Sequence, residues 1–240
     1  MSFDKIFNRQ KVKDAIKEDL ISAYRKRVID KLDIYRNTLD PFSAVLDSKL
    51  LNKDLETYIN DVEIPRQDQK TVQNIIGTLH QKIIGTFKDW EDLDTGMVVD
   101  NKNDKKKIVA EVKNKHNTTK GNHKKEIYDD LKEMVENKYP GYKGYYVEIL
   151  PKNGKVYDQE FTPPDNVTKK KRPANSNIRI IDGKSFYKLV TGKKNALEIL
   201  YDEFPKLIDE ILKDNFPDYH SVDLGIKRKE IFRKIFPKTK

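Results

Sequence analysis

The stretch IVAEVKNKHNT, residues 108–118, decides how the fold is interpreted. Ile108 to Val112 form an apolar run of the kind found in buried strands. Glu111 and Lys113 are separated by one residue, so in a strand both side chains project from the same face. A charged side chain is costly to bury without a partner. The stretch therefore predicts either a solvated strand edge or a buried strand whose charges serve a function.

The residues before this strand predict a β-hairpin. Met97–Val99 is a second apolar run, and the segment DNKNDKKK, residues 100–107, separates it from Ile108–Val112 with residues that favour turns. The polar residues 101–104 are the expected turn. The sequence therefore predicts two antiparallel strands that pair about this turn.

Pairing about that turn decides which carboxylates meet. It places Asp94 opposite Glu111, with Lys113 two residues further along the second strand. Asp100 would lie beside the turn, about five residues, on the order of 16 Å, from Glu111 along the strands. We therefore expect Asp94, Glu111 and Lys113 to converge at one end of the hairpin. Asp100 is the alternative to Asp94 as the first acidic residue.

Such a convergence predicts a metal site that hydrolyses phosphodiesters. Two carboxylates brought together repel unless a positive charge lies between them, and Mg²⁺ is commonly held by one or two carboxylates together with water. The carbonyl of Val112, which lies between Glu111 and Lys113, is the expected third ligand. A bound metal polarises the phosphodiester, while Lys113 orients the attacking water or stabilises the transition state. The alternative is an exposed hairpin on which Glu111 and Lys113 form an ordinary salt bridge.

The composition favours an anionic partner. The 240 residues include 48 Lys and Arg against 39 Asp and Glu, which gives a formal net charge of +9 and favours nucleic acid or an acidic surface. The chain has no cysteine, which excludes a disulfide scaffold, a cysteine zinc site and a cysteine nucleophile. Residues 1–20 are charged throughout, and no stretch approaches the length of a membrane span. We therefore expect a cytoplasmic protein without membrane contact.

The periodicity of the apolar residues predicts helices on both sides of a sheet. Helices are expected over residues 11–36 and 46–60, from after Pro65 to about Gly85, around 127–135, at 186–190 and 197–212, and at the end of the chain near 227–236. Strands are expected at 97–99, 108–112, 145–151 and 177–182, and Trp90 is expected in the core. The order of these elements predicts an α/β (α+β) fold, a mixed central β-sheet flanked by helices.

The hairpin residues match a known family pattern. Asp94, Glu111, Val112 and Lys113 together resemble the PD-(D/E)xK nuclease signature. The segment AEVKNKHNTTKG is similar to one branch of that superfamily, the type II restriction endonucleases that cut short palindromes of the form GGNCC or GGWCC. IIGTLHQKIIG, DWEDLDTG and IDGKSFYKLVTGKKNALEILYDEFP resemble the same branch, and the similarity covers roughly residues 70–210.

The resemblance implies a restriction-endonuclease-like core and a Mg²⁺-dependent enzyme. Asp94, Glu111 and Lys113 would be catalytic, and Asp94, Glu111 and the carbonyl of Val112 would bind the metal. One departure concerns the first acidic residue, because that Asp often follows a proline in the superfamily whereas Asp94 follows Leu93. Asp100 therefore remains the alternative ligand.

Four polar residues follow the catalytic strand where it is expected to emerge toward DNA. They are Asn114, Lys115, His116 and Asn117. Lys115 is expected to contact a phosphate, Asn117 to contact a base edge or cap the next element, and His116 to form hydrogen bonds. A polar strand end without DNA contacts is the alternative.

These observations predict a bacterial type II restriction endonuclease that cleaves both strands of DNA at a short palindrome. Such a target is most simply met by a two-fold homodimer with one active site for each strand. We expect a single domain over residues 1–240, with a helical N-terminal part (1–65), a catalytic core (66–182) and a helical C-terminal part (183–240). The alternatives are a structure-specific or DNA-repair nuclease and a non-catalytic basic nucleic-acid-binding protein.

Overall fold

A six-stranded mixed β-sheet lies at the centre of the computed structural model, which describes residues 2–30, 39–93, 97–119 and 121–236. Its strands are β1 (Glu91–Asp92), β2 (Asn101–Asn103), β3 (Ile108–Lys115), β4 (Lys143–Leu150), β5 (Asp158–Glu160) and β6 (Ile178–Asp182). They lie in the order β1-β2-β3-β4-β6-β5. The central strands β3, β4 and β6 are parallel, and the remaining pairs are antiparallel.

Helices cover both faces of this sheet. In the described ranges they are α1 (Arg9–Tyr24), α2 (Pro41–Leu51), α3 (Leu55–Tyr58), α4 (Ile64–Gly85), α5 (Gly121–Glu133), α6 (Gly183–Thr191), α7 (Ala196–Asn215) and α8 (Lys227–Ile235). The predicted α/β arrangement of a mixed sheet flanked by helices is therefore confirmed. No helix in the described part of the chain is long and apolar enough to cross a membrane.

The first helix ends earlier than predicted. α1 continues through one π-helical turn to Ile29, and Asp30 then has an extended backbone. The predicted end at residue 36 falls among residues 31–38, which lie outside the described residues. The described part of this helix is therefore confirmed only as far as Ile29.

The helix predicted over residues 46–60 is two helices in the structure. α2 begins at the cap residue Asp40, whose side chain accepts the backbone N–H of Phe42 at 3.0 Å. Asn52, with φ of 52°, adopts the left-handed conformation that ends α2. Asp54 then caps α3 through the backbone N–H of Thr57. The chain stays helical from there through α4, with a π-helical turn at Ile59–Glu63 directly before α4, whose first turn contains Pro65.

Buried apolar side chains form two clusters on opposite faces of the sheet. The larger cluster lies between the sheet and helices α1, α4, α6, α7 and α8, and Val112 and Trp90 belong to it. The core position predicted for Trp90 is confirmed, at 5% exposure. The smaller cluster contains Val109 of β3 and the inner face of α5. Because side chains alternate along a strand, Glu111 and Lys113 project on the side of Val109 and α5.

Candidate active site

The hairpin that carries Glu111 pairs in a different register from the predicted one. β2 and β3 are antiparallel, with Asn101 opposite Ala110. Asp100 directly precedes β2, and its backbone N–H donates to the carbonyl of Ala110 at 2.9 Å, which sets Asp100 beside Glu111. The predicted register is therefore wrong, and so is the prediction that Asp100 lies far from Glu111.

The position of the turn explains this difference. The turn lies at residues 104–107, where Lys107 adopts a left-handed φ of 53° and the side chain of Asn103 accepts a backbone N–H. Asn101 and Asn103 are buried in β2, although both residue types favour turns in a sequence. The apolar run 97–99 precedes the paired strand instead of forming it.

Asp100, Glu111 and Lys113 form one largely buried cluster. Their side chains are 18%, 14% and 27% exposed, respectively. The ammonium group of Lys113 contacts the carboxylate of Glu111 directly and lies 3.9 Å from Oδ2 of Asp100. Asp94 belongs to residues 94–96, which lie outside the described residues. Its role as a metal ligand stays a prediction, whereas the structure places Asp100 beside Glu111.

Burial and neighbouring charges shift the pKa values of this cluster. Burial raises the pKa of Glu111 well above its usual range, and the charge of Asp100 raises it further. Burial also raises the pKa of Asp100, although Lys113 opposes that rise. For Lys113, burial disfavours the charged form, but the two carboxylates outweigh it and its pKa is raised. Two carboxylates of this cluster therefore share the positive charge of one described side chain, Lys113.

The backbone of Val112 faces the same cluster. Its N–H donates a hydrogen bond to Oδ2 of Asp100 at 2.6 Å, and the N–H of Asp100 donates to the carbonyl of Ala110 at 2.9 Å. The N–H and carbonyl of one strand residue point toward the same edge of the strand. The carbonyl oxygen of Val112 therefore lies on the Asp100 side of β3, where the sequence analysis expected a metal ligand.

A second polar cluster lies one strand further across the same face. Glu148 of β4 is opposite Lys113 in the parallel register and is only 4% exposed. Nζ of Lys124, on α5, lies 2.6 Å from Oε1 of Glu148, and the hydroxyl of Tyr157 donates to Oε2. The sequence analysis missed this cluster. The available signal was a lone acidic residue within the apolar strand YYVEIL.

The predicted DNA-contact residues lie where β3 leaves the sheet. Asn114 and Lys115 end the strand, and the backbone N–H of His116 donates to the carbonyl of Leu150 at 3.1 Å. Lys115 and Asn117 are exposed, whereas Asn114 and His116 are half-buried. The four residues therefore continue directly from the cluster to the protein surface.

A large cleft opens at this end of the sheet. Its volume is about 780 Å³, and Lys113, Asn114 and Lys115 contribute to its lining. Helices α4, α7 and α8 supply the opposite walls, with mainly apolar side chains. Of the three clustered residues, Lys113 reaches this cleft, whereas helices α4, α7 and α8 pack on the face of the sheet opposite α5.

Comparison with known proteins gives the family. The family model described as Eco47II restriction endonuclease matches residues 3–213. The chain belongs to this family. Type II restriction enzyme Eco47II from Escherichia coli is 37% identical over 220 residues, which are 90% of this chain and 90% of that protein. Type II restriction enzyme Sau96I from Staphylococcus aureus is 32% identical over 198 residues, which are 80% of this chain and 75% of that protein.

The family assignment confirms the resemblance inferred from the sequence and extends it beyond residues 70–210. The chain is a type II restriction endonuclease, a site-specific endodeoxyribonuclease. Enzymes of this class act on DNA and generally need a divalent metal ion. The assignment favours this function over the two alternatives, a repair nuclease and a non-catalytic nucleic-acid-binding protein. The matched range includes both polar clusters on the α5 face of the sheet.

Proposed function

We propose that this chain cleaves double-stranded DNA at a short palindrome and uses Mg²⁺ held by Asp100, Glu111 and the carbonyl of Val112, with Lys113 beside the attacking water. The observation that carries the proposal is the register of β2 on β3, which brings the carboxylates of Asp100 and Glu111 to one cation, Lys113. The sequence analysis favours Asp94 as the first metal ligand because of the predicted register. β2 pairs with β3 in a different register, so Asp100 takes that place in this proposal.

The donor set fits Mg²⁺. Two ionised carboxylates and one ammonium group leave a net charge of −1. Burial raises the pKa values of Glu111 and Asp100, and the charge of Asp100 raises that of Glu111 further. A divalent cation would relieve that repulsion. Mg²⁺ is commonly held by one or two carboxylates and keeps several waters. Across the described residues there is no group of three or more acidic or histidine side chains suited to a metal, so carbonyl and water ligands would complete the site.

The chemistry proposed for the site is hydrolysis of one phosphodiester bond in each strand. A divalent cation bound there would supply charge that polarises the phosphate and favours deprotonation of the attacking water. The water oxygen bonds to phosphorus, one P–O bond breaks, and the leaving oxygen takes a proton to give a hydroxyl. Lys113 holds a positive charge beside the transferred phosphoryl group, where negative charge develops.

The residues that follow β3 are proposed to contact DNA. Lys115 and Asn117 are exposed at the strand end, next to the cleft. A lysine there suits a phosphate, and an asparagine can accept from and donate to a base edge. Asn114 and His116, which are half-buried, would hold the strand end in place and complete the DNA-contact surface.

The target is proposed to be a palindrome of the GGNCC type, and the active form a homodimer. This rests on the similarity to Eco47II and Sau96I, which spans most of both relatives. A palindrome has two-fold symmetry, so two copies related by the same axis place one active site at each strand.

Digestion of a plasmid of known sequence tests the proposal. With Mg²⁺ we expect discrete fragments whose mapped ends share one short palindrome, and without divalent metal we expect intact plasmid. Glu111→Ala should abolish the fragments. Glu160→Ala, which removes an exposed acidic residue of β5, should leave them unchanged. A smear of fragments, or intact plasmid with Mg²⁺ present, would contradict the proposal.

The DNA contacts have a separate test. Lys115→Ala should weaken binding to all DNA sequences alike and lower the slope of log affinity against log salt by about one counterion. Binding is measured in Ca²⁺ at several salt concentrations by fluorescence anisotropy. An unchanged slope would show that Lys115 does not contact a phosphate.

A further inference from the structure

The outer face of helix α2 is apolar and exposed, which is the reverse of an ordinary surface helix. The residues of α2 that face the protein are small: Ala44 and Ser48 are 3% and 4% exposed. The large apolar side chains point outward. They are Phe42 (86% exposed), Leu50 (73%), Leu46 (60%) and Val45 (52%).

These side chains form one continuous stripe. Phe42, Leu46 and Leu50 are spaced by four residues, so they lie in a row along one side of the helix. Monomeric soluble proteins rarely expose contiguous apolar patches larger than a few hundred Å², and larger ones mark interaction sites. We name this row, together with Val45 beside it, the α2 face.

We propose that the α2 face is the surface on which two copies of this chain pair about a two-fold axis. The inference rests on the proposed function to the extent that cutting both strands of a palindrome calls for two active sites. The exposed side chains amount to on the order of 500 Å² of apolar surface. That area is more than half of the roughly 800 Å² that each partner contributes to a standard specific interface.

The charges around the α2 face favour a second copy over DNA. Residues 41–58 contain three acidic and two basic side chains, in a chain whose net charge is +9. DNA would require a basic surface, which this segment does not offer. Two copies that each carry +9 repel one another over most of their surface, and here the charges are of mixed sign and nearly balanced. This segment is therefore well suited to contact between like-charged copies.

The spacing of the stripe fits a two-fold contact. In a two-fold interface, if one residue of the first copy contacts a second residue of the other copy, the same two residues also meet with the copies exchanged. With the axis near Leu46, the middle of the row, Phe42 of one copy packs beside Leu50 of the partner subunit. The two α2 helices then cross in opposite directions, and all three positions of the row are covered in both copies.

Molecular mass in solution tests the inference without DNA or metal. We expect the wild-type chain at micromolar concentration to sediment at twice 28.2 kDa. The double substitution Leu46→Glu with Leu50→Glu should raise the dimer dissociation constant at least 100-fold and give a monomer. Val167→Glu, at an isolated apolar side chain that is 79% exposed, is the matched control and should remain dimeric. The unfolding midpoint of the double variant should match that of the wild-type chain when the two proteins are measured at a concentration low enough for both to be monomeric.

The outcomes separate this inference from the proposed function. A monomeric wild-type chain that still cuts plasmid at discrete sites would overturn the α2 interface and leave the proposed function standing. A dimer that the double substitution dissociates, in a protein that does not cut DNA, would support the interface and contradict the function. A double variant that remains dimeric would overturn the interface.

Cross-linking gives a second test, because the chain has no cysteine of its own. Leu46→Cys places one thiol close to the proposed two-fold axis, so a short bismaleimide should join two copies within the dimer. Val167→Cys offers an equally accessible thiol away from the α2 face and should give no covalent dimer at the same concentration. Equal cross-linking of both variants, or none with Leu46→Cys, would overturn the proposed contact.

Discussion

Oδ2 of Asp100 accepts a hydrogen bond of 2.6 Å from the backbone N–H of Val112, which holds the Asp100 side chain against the strand segment that bears Glu111. The pairing of β2 with β3 brings Asp100 close to Glu111, and this bond also fixes where the carboxylate of Asp100 points. One carboxylate oxygen of Asp100 is engaged by the backbone. The other oxygen is the one that we propose to face a metal ion shared with Glu111.

The first prediction concerns the choice between the two aspartates. Asp100→Asn keeps an acceptor for the Val112 N–H but removes the negative charge, so cleavage with Mg²⁺ should fall at least 100-fold. Specific binding in Ca²⁺ should be weakened less than cleavage. The cleavage rates of Asp100→Asn and Asp94→Asn are both measured under single-turnover conditions. Full activity of Asp100→Asn together with loss of activity in Asp94→Asn would restore the ligand first expected from the sequence.

The second prediction concerns Lys113, whose ammonium group contacts Glu111 and lies 3.9 Å from Asp100. Lys113→Ala should remove cleavage, because no positive charge would remain beside the phosphoryl group, while metal binding should persist or tighten. Lys113→Arg should also be impaired at least tenfold, since the guanidinium is larger and planar. Single-turnover cleavage and Ca²⁺-supported DNA binding measure the two effects. Near-normal cleavage by Lys113→Ala would contradict the proposed active site.

Much of the fold follows from residue patterns that are local in the sequence. The apolar spacing in α4 and α7, and the apolar runs of β3 and β4, each mark a face that must be buried. Element order then leads to a mixed sheet with helices on both sides. The prediction that Glu111 and Lys113 share one face required only the alternation of side chains along a strand. The candidate DNA-contact residues were predicted from their position directly after that strand.

The register of the hairpin did not follow from the sequence, because its cause is tertiary. Asn101 is fully buried, and its side-chain amide donates to the backbone carbonyls of Gln81, on α4, and of Glu91. These contacts make an asparagine stable inside a strand, yet in a sequence Asn101 resembles a turn residue. The predicted turn therefore lies several residues before the observed one. It places Asp100 at the turn end of the hairpin instead of the end that carries Glu111.

Two other features required the structure for similar reasons. Glu148 is buried because Lys124 and Tyr157 reach it from different elements, and no local pattern reveals that pairing. β5 is three exposed residues long, and its pairing to β6 includes the bond from Arg179 to Asp158. A strand so short carries no detectable alternation.

The third prediction links metal binding to pH. Burial and the nearby Asp100 raise the pKa of Glu111, so the metal-free site retains a proton to higher pH than a free carboxyl group. The stability of the metal-free protein due to this group is present at low pH and is lost as pH rises through the raised pKa. Binding of Ca²⁺ should therefore tighten as pH rises and release protons, which calorimetry in two buffers of different ionisation enthalpy detects. Glu111→Gln should bind Ca²⁺ more weakly and without that proton release.

The fourth prediction concerns the buried pair of Glu148 and Lys124. Lys124→Met leaves the Glu148 carboxylate buried without its cation, and should lower the free energy of unfolding by about 3 kcal/mol. Lys132→Met is the matched control on the same helix. Its partner Glu136 lies 3.9 Å away and both side chains are nearly half exposed, so the loss should be about 0 to 1 kcal/mol. Urea unfolding compares the two, and equal losses would contradict a buried ion pair.

The last prediction concerns His80, a residue of α4 that lines the cleft and whose Nδ1 lies 2.9 Å from the hydroxyl of Tyr187. Burial lowers the pKa of His80 to about 4 from an ordinary value of 6.5. At a pH between those two values, the His80 ring is protonated in the unfolded chain but not in the folded protein. The folded state therefore loses stability as pH falls through this range, by at most about 3 kcal/mol.

A non-titrating side chain removes that dependence. His80→Gln should flatten the curve of unfolding free energy against pH between pH 5 and 6.5, in urea unfolding series taken at several pH values. The matched control is His220→Gln, which replaces an exposed histidine and should leave the slope unchanged. A slope for His80→Gln equal to that of the wild-type chain would show that His80 is protonated as readily in the folded protein as in the unfolded one.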